Sequence, residues 1–138
     1  MNDLKKVELK WVKGLQFIAR DELGHEITLD TMKEVGGTET GFQPVDLILV
    51  SLAGCMAFDI VWVLKKKKID LKNFDVKIEA ERYFEHPKRY TKINIKFKTN
   101  NEVNKEALSR AFELSRDKYC SILATLKGPP PEIEFNFE

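Results

Sequence analysis

Residues 44–68 read PVDLILVSLAGCMAFDIVWVLKKKK. Between Leu47 and Leu64 the only charge is Asp59, and Cys55 lies near the middle. Pro44 suits the first turn of a helix, where its missing N–H costs nothing. Asp46 complements the positive end of the helix dipole, and Lys65 to Lys68 the negative end. A helix of some twenty-two residues is roughly 33 Å long, close to the ~37 Å width of a compact body of this chain length. Being apolar on every side, it must be covered on every side. Lipid is one cover, since eighteen residues of near-continuous hydrophobicity before a basic flank resemble a membrane span. Against it stand Asp59, Ser51 and Gly54, an ionised Asp costing roughly 2.5–3.5 kcal/mol in hydrocarbon. The rest of the chain reads as a soluble α+β domain, so a protein-buried helix with no membrane partner is expected.

The chain has 138 residues, which suits one domain over 1–138 with a real core. Lys and Arg number 23 against 22 Asp and Glu, a net charge of +1 that draws no polyanion. The KKKK run has no aromatic interleaving and no second basic run beside it, so helix-end charge explains it better than nucleic-acid binding. Two cysteines are too few for a stapled secreted fold, and they lack zinc-ligand spacing. The N-terminal MNDLKKVELKWV lacks the apolar run of a signal peptide. A cytoplasmic location is expected, where a disulfide would be catalytic or regulatory rather than structural.

Residues 7–12, 15–20 and 26–30 alternate apolar and polar, the pattern of half-buried strands. Lys13-Gly14 and Asp21-Glu22-Leu23-Gly24 are the intervening turns, making an antiparallel meander. Residues 31–43 carry three glycines and no periodicity, a loop long enough to be functional. After the helix, Phe74, Val76, Ile78 and Ala80 and then Ile93, Ile95 and Phe97 form the apolar face of a hairpin turning at Glu85-His86-Pro87-Lys88. Asn104 is a good N-cap for a helix carrying Leu108, Ala111, Phe112, Ser115 and Tyr119 on one stripe. Ser115-Arg116-Asp117 is a candidate break, and Gly128-Pro129-Pro130-Pro131 a stop. Ile133, Phe135 and Phe137 then alternate with Glu132, Glu134 and Asn136, which predicts a final strand. The expected order is βββ–α–ββ–α(α)–β.

Buried cysteines are common, so Cys55 and Cys120 on apolar helix faces need no chemistry. Their surroundings favour some: Ala53-Gly54 leave room beside Cys55, while Arg116, Lys118 and Tyr119 stand near Cys120. Cationic neighbours make thiolate available. His25 and His86 fall in turns and read as structural.

The stretch PVDLILVSLAGCMAFDIVWVLKKKKID resembles P-x-E-L-L-L-x-A-L-A-G-C-x-A-x-D-V-V-x-I-L-x-K of the OsmC/Ohr family of thiol-dependent peroxidases and their relatives. LSRDKYCSIL is similar to its L-S-x-x-K-Y-C-S-V, and EHPKRYTKINI to its E-H-P hairpin. The resemblance runs from Gly41 onward, with GHEITLD and the meander pattern before it. It implies an intertwined homodimer in which the long helices are buried centrally and wrapped by antiparallel sheets from both subunits. It also implies Cys55 as the peroxidatic thiol and Cys120 as the resolving one, closing a disulfide that an external dithiol, such as a dihydrolipoyl group, reopens. No metal, flavin or haem is implied. The peroxidase branch carries a glutamate ten residues before its first cysteine, where this chain has Val45. The nearest acid is Asp46, matching a different branch, and the candidate activating arginine is Arg20. For Arg20 a surface hairpin role is at least as good a reading, and Asp59 is open to a tuning role or to simple hydrogen-bonded burial.

Three functions compete on these residues. The first is reduction of organic hydroperoxides in oxidative stress defence. The second is an OsmC-like redox protein with other thiol–disulfide chemistry and no hydroperoxidase activity. The third is a non-enzymatic dimer with an acyl-like ligand, its thiols being core residues.

Overall fold

The structure, a computed structural model, describes residues 3–138. It is an α+β fold whose chain divides into two compact units, one ending at Ile48 and the other running from Leu49 to Glu138. Each is taken in turn.

In the N-terminal unit, strands β1 (Val7–Lys13), β2 (Gln16–Asp21) and β3 (Glu26–Leu29) form the expected antiparallel meander. Leu9 pairs with Ala19 and Ala19 with Ile27, so apolar residues line up across the three strands. Gly14 (φ 53°) and Gly24 (φ 88°) take left-handed backbone angles in the two turns, as side-chain-free residues can. The Asp21 carboxylate closes the second turn by accepting from the backbone N–H of Leu23 and His25. Beyond β3 the chain is not a slack loop. Phe42 returns beside Leu29: its N–H donates to the Thr28 carbonyl (2.9 Å) and its carbonyl accepts from Asp30 (3.1 Å).

Helix α1 (Pro44–Lys66) starts in this unit and supplies the core of the next. By length and hydropathy it could cross a membrane, a property shared by core helices of soluble proteins. Strands β4 (Phe74–Arg82) and β5 (Tyr90–Thr99) pair antiparallel with Val76 opposite Phe97 and Ile78 opposite Ile95. The intervening charged residues Asp75, Lys77 and Glu79 are exposed, as the alternation requires. Asn104 caps α2 (Lys105–Leu114), its side chain accepting from the Glu106 N–H at 2.7 Å. The candidate break is real: residues Ser115–Tyr119 form a π-helical turn, and α3 (Ser121–Lys127) follows. Ile60, Val63 and Leu64 of α1 pack with Val103 and Ala111, backed by Phe74, Phe97 and Phe112.

The expected closing strand does not form within the single chain. Residues 129–138 form no helix or strand and join no sheet, and Phe135 is 80% and Phe137 98% exposed. Alternation selects an apolar face; a strand also needs a neighbour to take its N–H and C=O groups, and this segment meets none among the described residues. The cover that α1 needs is not supplied by this chain alone: Phe58 is 79% exposed, while only Leu52, Met56, Ile60, Val63 and Leu64 of the helix are buried.

Candidate active site

Cys55 and Cys120 are both free thiols, and they share one packed cluster with Leu52 and Met56. Around it stand Ile78, Ile93, Ile95, Phe97, Phe112, Ile122 and Leu123, so the thiols sit against the apolar face of the hairpin. Cys55 is half-buried, mid-helix, beside Gly54, where an added Cβ would meet no atom within 4 Å. Cys120 is buried behind it. Burial first, and the neighbouring Cys55 as a smaller cause, push the Cys120 thiol above its ordinary value of 9.0. The Leu123 N–H, which donates to Cys120 Sγ at 3.3 Å, opposes that rise.

The π turn explains how Cys120 reaches this position. Its ring closes through the Cys120 N–H, which donates to the Ser115 carbonyl five residues back at 2.9 Å. Ser115 is fully buried, and its hydroxyl donates to Asp59 Oδ2 at 2.8 Å. Trp62 meets Tyr119 edge-on at 5.9 Å, a second contact between α1 and the turn. An open cavity of about 590 Å³ adjoins the cluster, with Met56, Ile95, Phe97, Phe112 and Leu123 as apolar lining and Arg116, Asp117 and Lys127 as its polar groups. Arg116 forks onto Asp117 (2.7 and 2.9 Å), which raises its own pKa and lowers that of Asp117.

The other two candidate residues belong to the N-terminal unit. Arg20 forms an ion pair with Glu26 of the neighbouring strand, its Nε donating at 3.0 Å, and is exposed. Asp46, half-buried in the first turn of α1, lines a cleft of about 530 Å³ with Thr28, Thr31, Met32, Glu39, Phe42 and Gln43. This cleft rests on a buried carboxylate that pattern reading passed over. Asp30 accepts from the hydroxyls and backbone N–H groups of Thr38 and Thr40 and from the Thr31 N–H. Those bonds, Thr38 first, hold its carboxyl far below the usual 3.8. The available signal was the T-E-T run eight residues after a strand-ending Asp. Ser115 falls on the apolar stripe and in the candidate break, yet its hydroxyl ties two elements together. His25 is structural as expected, bonded through Nδ1 to Asp21 at 2.9 Å. Among the described residues, no three His, Cys, Asp or Glu side chains converge in a metal-binding group.

Residues 37–136 match the family model of OsmC-like proteins. The chain belongs to that family. Protein YhfA of Escherichia coli K12 is 33% identical over 123 residues, covering 88% of this chain and 89% of the relative. A hypothetical protein of Aquifex aeolicus VF5, known from its crystal structure, is 36% identical with a TM-score of 0.79, covering 91% and 89% of the two chains. The organic hydroperoxide resistance protein OsmC of Legionella pneumophila superposes with a TM-score of 0.66 at 16% identity, over 91% of this chain and 90% of its own. At that identity the likeness is one of fold. The meander, the long helix, the hairpin and the helices that follow are thus the OsmC-like architecture carried by this sequence.

Proposed function

We propose that the protein is a cytoplasmic thiol-dependent peroxidase that reduces organic hydroperoxides to alcohols in defence against oxidative stress. The observation that carries this reading is the pairing of a half-buried Cys55 with a buried Cys120 in one apolar cluster beside an open cavity. The Cys55 thiolate attacks the terminal oxygen of the hydroperoxide; the O–O bond breaks, an alkoxide leaves and takes up a proton, and Cys55 becomes a sulfenic acid. The Cys120 sulfur then displaces hydroxide from that sulfenic acid, giving a Cys55–Cys120 disulfide and water. A dithiol, of the dihydrolipoyl type or on a partner protein, takes the disulfide apart by two exchange steps and is itself oxidised. The sulfur chemistry requires no bound metal or organic cofactor. Within the cluster, Met56, Phe97, Phe112 and Leu123 suit an alkyl or acyl substituent better than a small polar peroxide.

The functional unit is proposed to be a homodimer. Phe58, Val50, Val61 and Trp62 on α1 are left 40–79% exposed by this chain, and Asp59 within the same helix argues for protein rather than lipid as their cover. Arg20 and Asp46 remain the proposed activating groups for Cys55, on the strength of the family resemblance.

One observation favours a second reading. Val45 stands where the peroxidase branch has its glutamate, and thiol–disulfide exchange with another substrate would not require that residue. Reduced protein mixed with cumene hydroperoxide and dihydrolipoamide separates the two. The peroxidase reading expects catalytic loss of peroxide, abolished in Cys55→Ser. In Cys120→Ser it expects arrest at a sulfenic acid that dimedone traps. Peroxide consumed no faster than by dihydrolipoamide alone would overturn it and leave the exchange reading.

A further inference from the structure

Ser115 acts in two directions at once. Its hydroxyl reaches α1 at Asp59 Oδ2 (2.8 Å), and its carbonyl accepts the amide of Cys120 (2.9 Å). Asp59 lies four residues after Cys55, hence on the same face of α1. The two thiols are therefore joined by a short frame. One helical turn leads from Cys55 to Asp59, a hydrogen bond leads on to Ser115, and the π ring leads from Ser115 to Cys120. The ring matters because it contains one residue more than an α turn. Relaxation to ordinary i→i−4 bonding would swing Cys120 by about 100° around the helix axis, away from Cys55.

We infer that the Asp59–Ser115 hydrogen bond is a positioning element for the thiol pair. It locks the π-helical turn onto α1 and keeps the Cys120 sulfur within reach of Cys55. This rests on Cys55 and Cys120 being a redox pair, but not on the oxidant being a peroxide. Neither residue touches the reacting atoms; both act through the backbone that carries them. The Trp62–Tyr119 contact lies in the same seam and does not involve the serine hydroxyl, so Ser115→Ala removes only one of the two ties between the elements.

The experiment uses diamide, which needs no peroxidase activity. Two thiols give up two electrons and two protons, the S–S bond forms, and the N=N bond of diamide is reduced to the hydrazine. Intramolecular disulfide is followed by quenched mass spectrometry in the wild type, Ser115→Ala, Asp59→Ala and Asp59→Asn, each held well below its thermal midpoint. Loss of this hydrogen bond should slow closure by about tenfold in Ser115→Ala and Asp59→Ala. Asp59→Asn keeps an acceptor for the hydroxyl, and closure there should stay within about threefold of wild type. Wild-type closure rates in both alanine variants would overturn the positioning role. If Ser115→Ala does not fold, equal rates in Asp59→Ala and Asp59→Asn would overturn it instead. A wild type that forms no intramolecular disulfide would overturn the redox pair itself.

Discussion

Burial divides the labour between the two sulfurs. Cys120 is 4% exposed and its thiol is pushed above 9.0, chiefly by desolvation, so at neutral pH it is protonated and shielded. Cys55 is the more accessible of the two. Brief treatment of reduced protein with iodoacetamide at pH 7.5 should therefore label Cys55 ahead of Cys120, as peptide mapping would show. Preferential labelling of Cys120 would contradict the assignment of Cys55 as the attacking thiol. Asp30 follows the opposite electrostatic logic. Its folded pKa is depressed below 3.8 by donated hydrogen bonds, so its stabilisation is complete above that value and is lost as pH falls toward the folded pKa. Asp30→Asn should lower the thermal midpoint at pH 7. The gap to wild type should stay constant above about pH 5 and narrow below pH 3.8. A gap that widened on acidification would show that the carboxylate charge is not what the Thr38 and Thr40 bonds stabilise.

At the scale of elements, α1 is anchored by one stripe only. Leu64 is fully buried among Val103, Ala111 and their neighbours, so Leu64→Ala removes packing that the site cannot refill. A loss of about 2–5 kcal/mol is expected from chemical denaturation at constant m-value, and a loss below 1 kcal/mol would mean that the cluster collapses onto the gap. This stripe was not legible, because α1 reads as apolar on every side and no period singles out one face; the meander, the hairpin and the Asn104 cap were, because period and capping are local properties of the chain. Juxtaposition was less so. Nothing within SRDKY announces a π turn, whose extra residue accompanies a bond to Asp59, fifty-six positions away in the chain. Asp30 escaped notice for a related reason: its partners lie in a loop without periodicity, and only the fold brings Thr38 and Thr40 to one carboxylate. The cysteine pair was found through motif resemblance, since spacing alone could not show that both sulfurs enter one cluster. The closing alternation of Ile133, Phe135 and Phe137 misled because pattern specifies a face and leaves the hydrogen-bonding neighbour unspecified.

For the whole molecule, three apolar surfaces stand uncovered by this chain. Val7, Leu9 and Trp11 on β1 are 56–66% exposed, Phe58 on α1 is 79% exposed, and the 133–137 segment is bare. Scattered apolar side chains on a surface are ordinary, but alternate residues of a strand and the middle of a helix present continuous patches. A lone soluble chain would pay for all three at once in solubility. The proposed homodimer accounts for two of them: a second α1 supplies cover for Phe58, and a sheet edge of the partner can take the N–H and C=O groups of the closing segment. Light scattering after size exclusion, without detergent, should therefore report twice the 16.0 kDa chain mass. Phe58→Glu places a charge in the middle of the proposed contact and should give either a monomer or a mass that falls on dilution, with a thermal midpoint that becomes concentration-dependent. A wild-type monomer that stays soluble at micromolar concentration would sink the dimer. A protein recovered only in detergent would instead return α1 to the lipid reading, with Asp59 as the residue that reading must then explain.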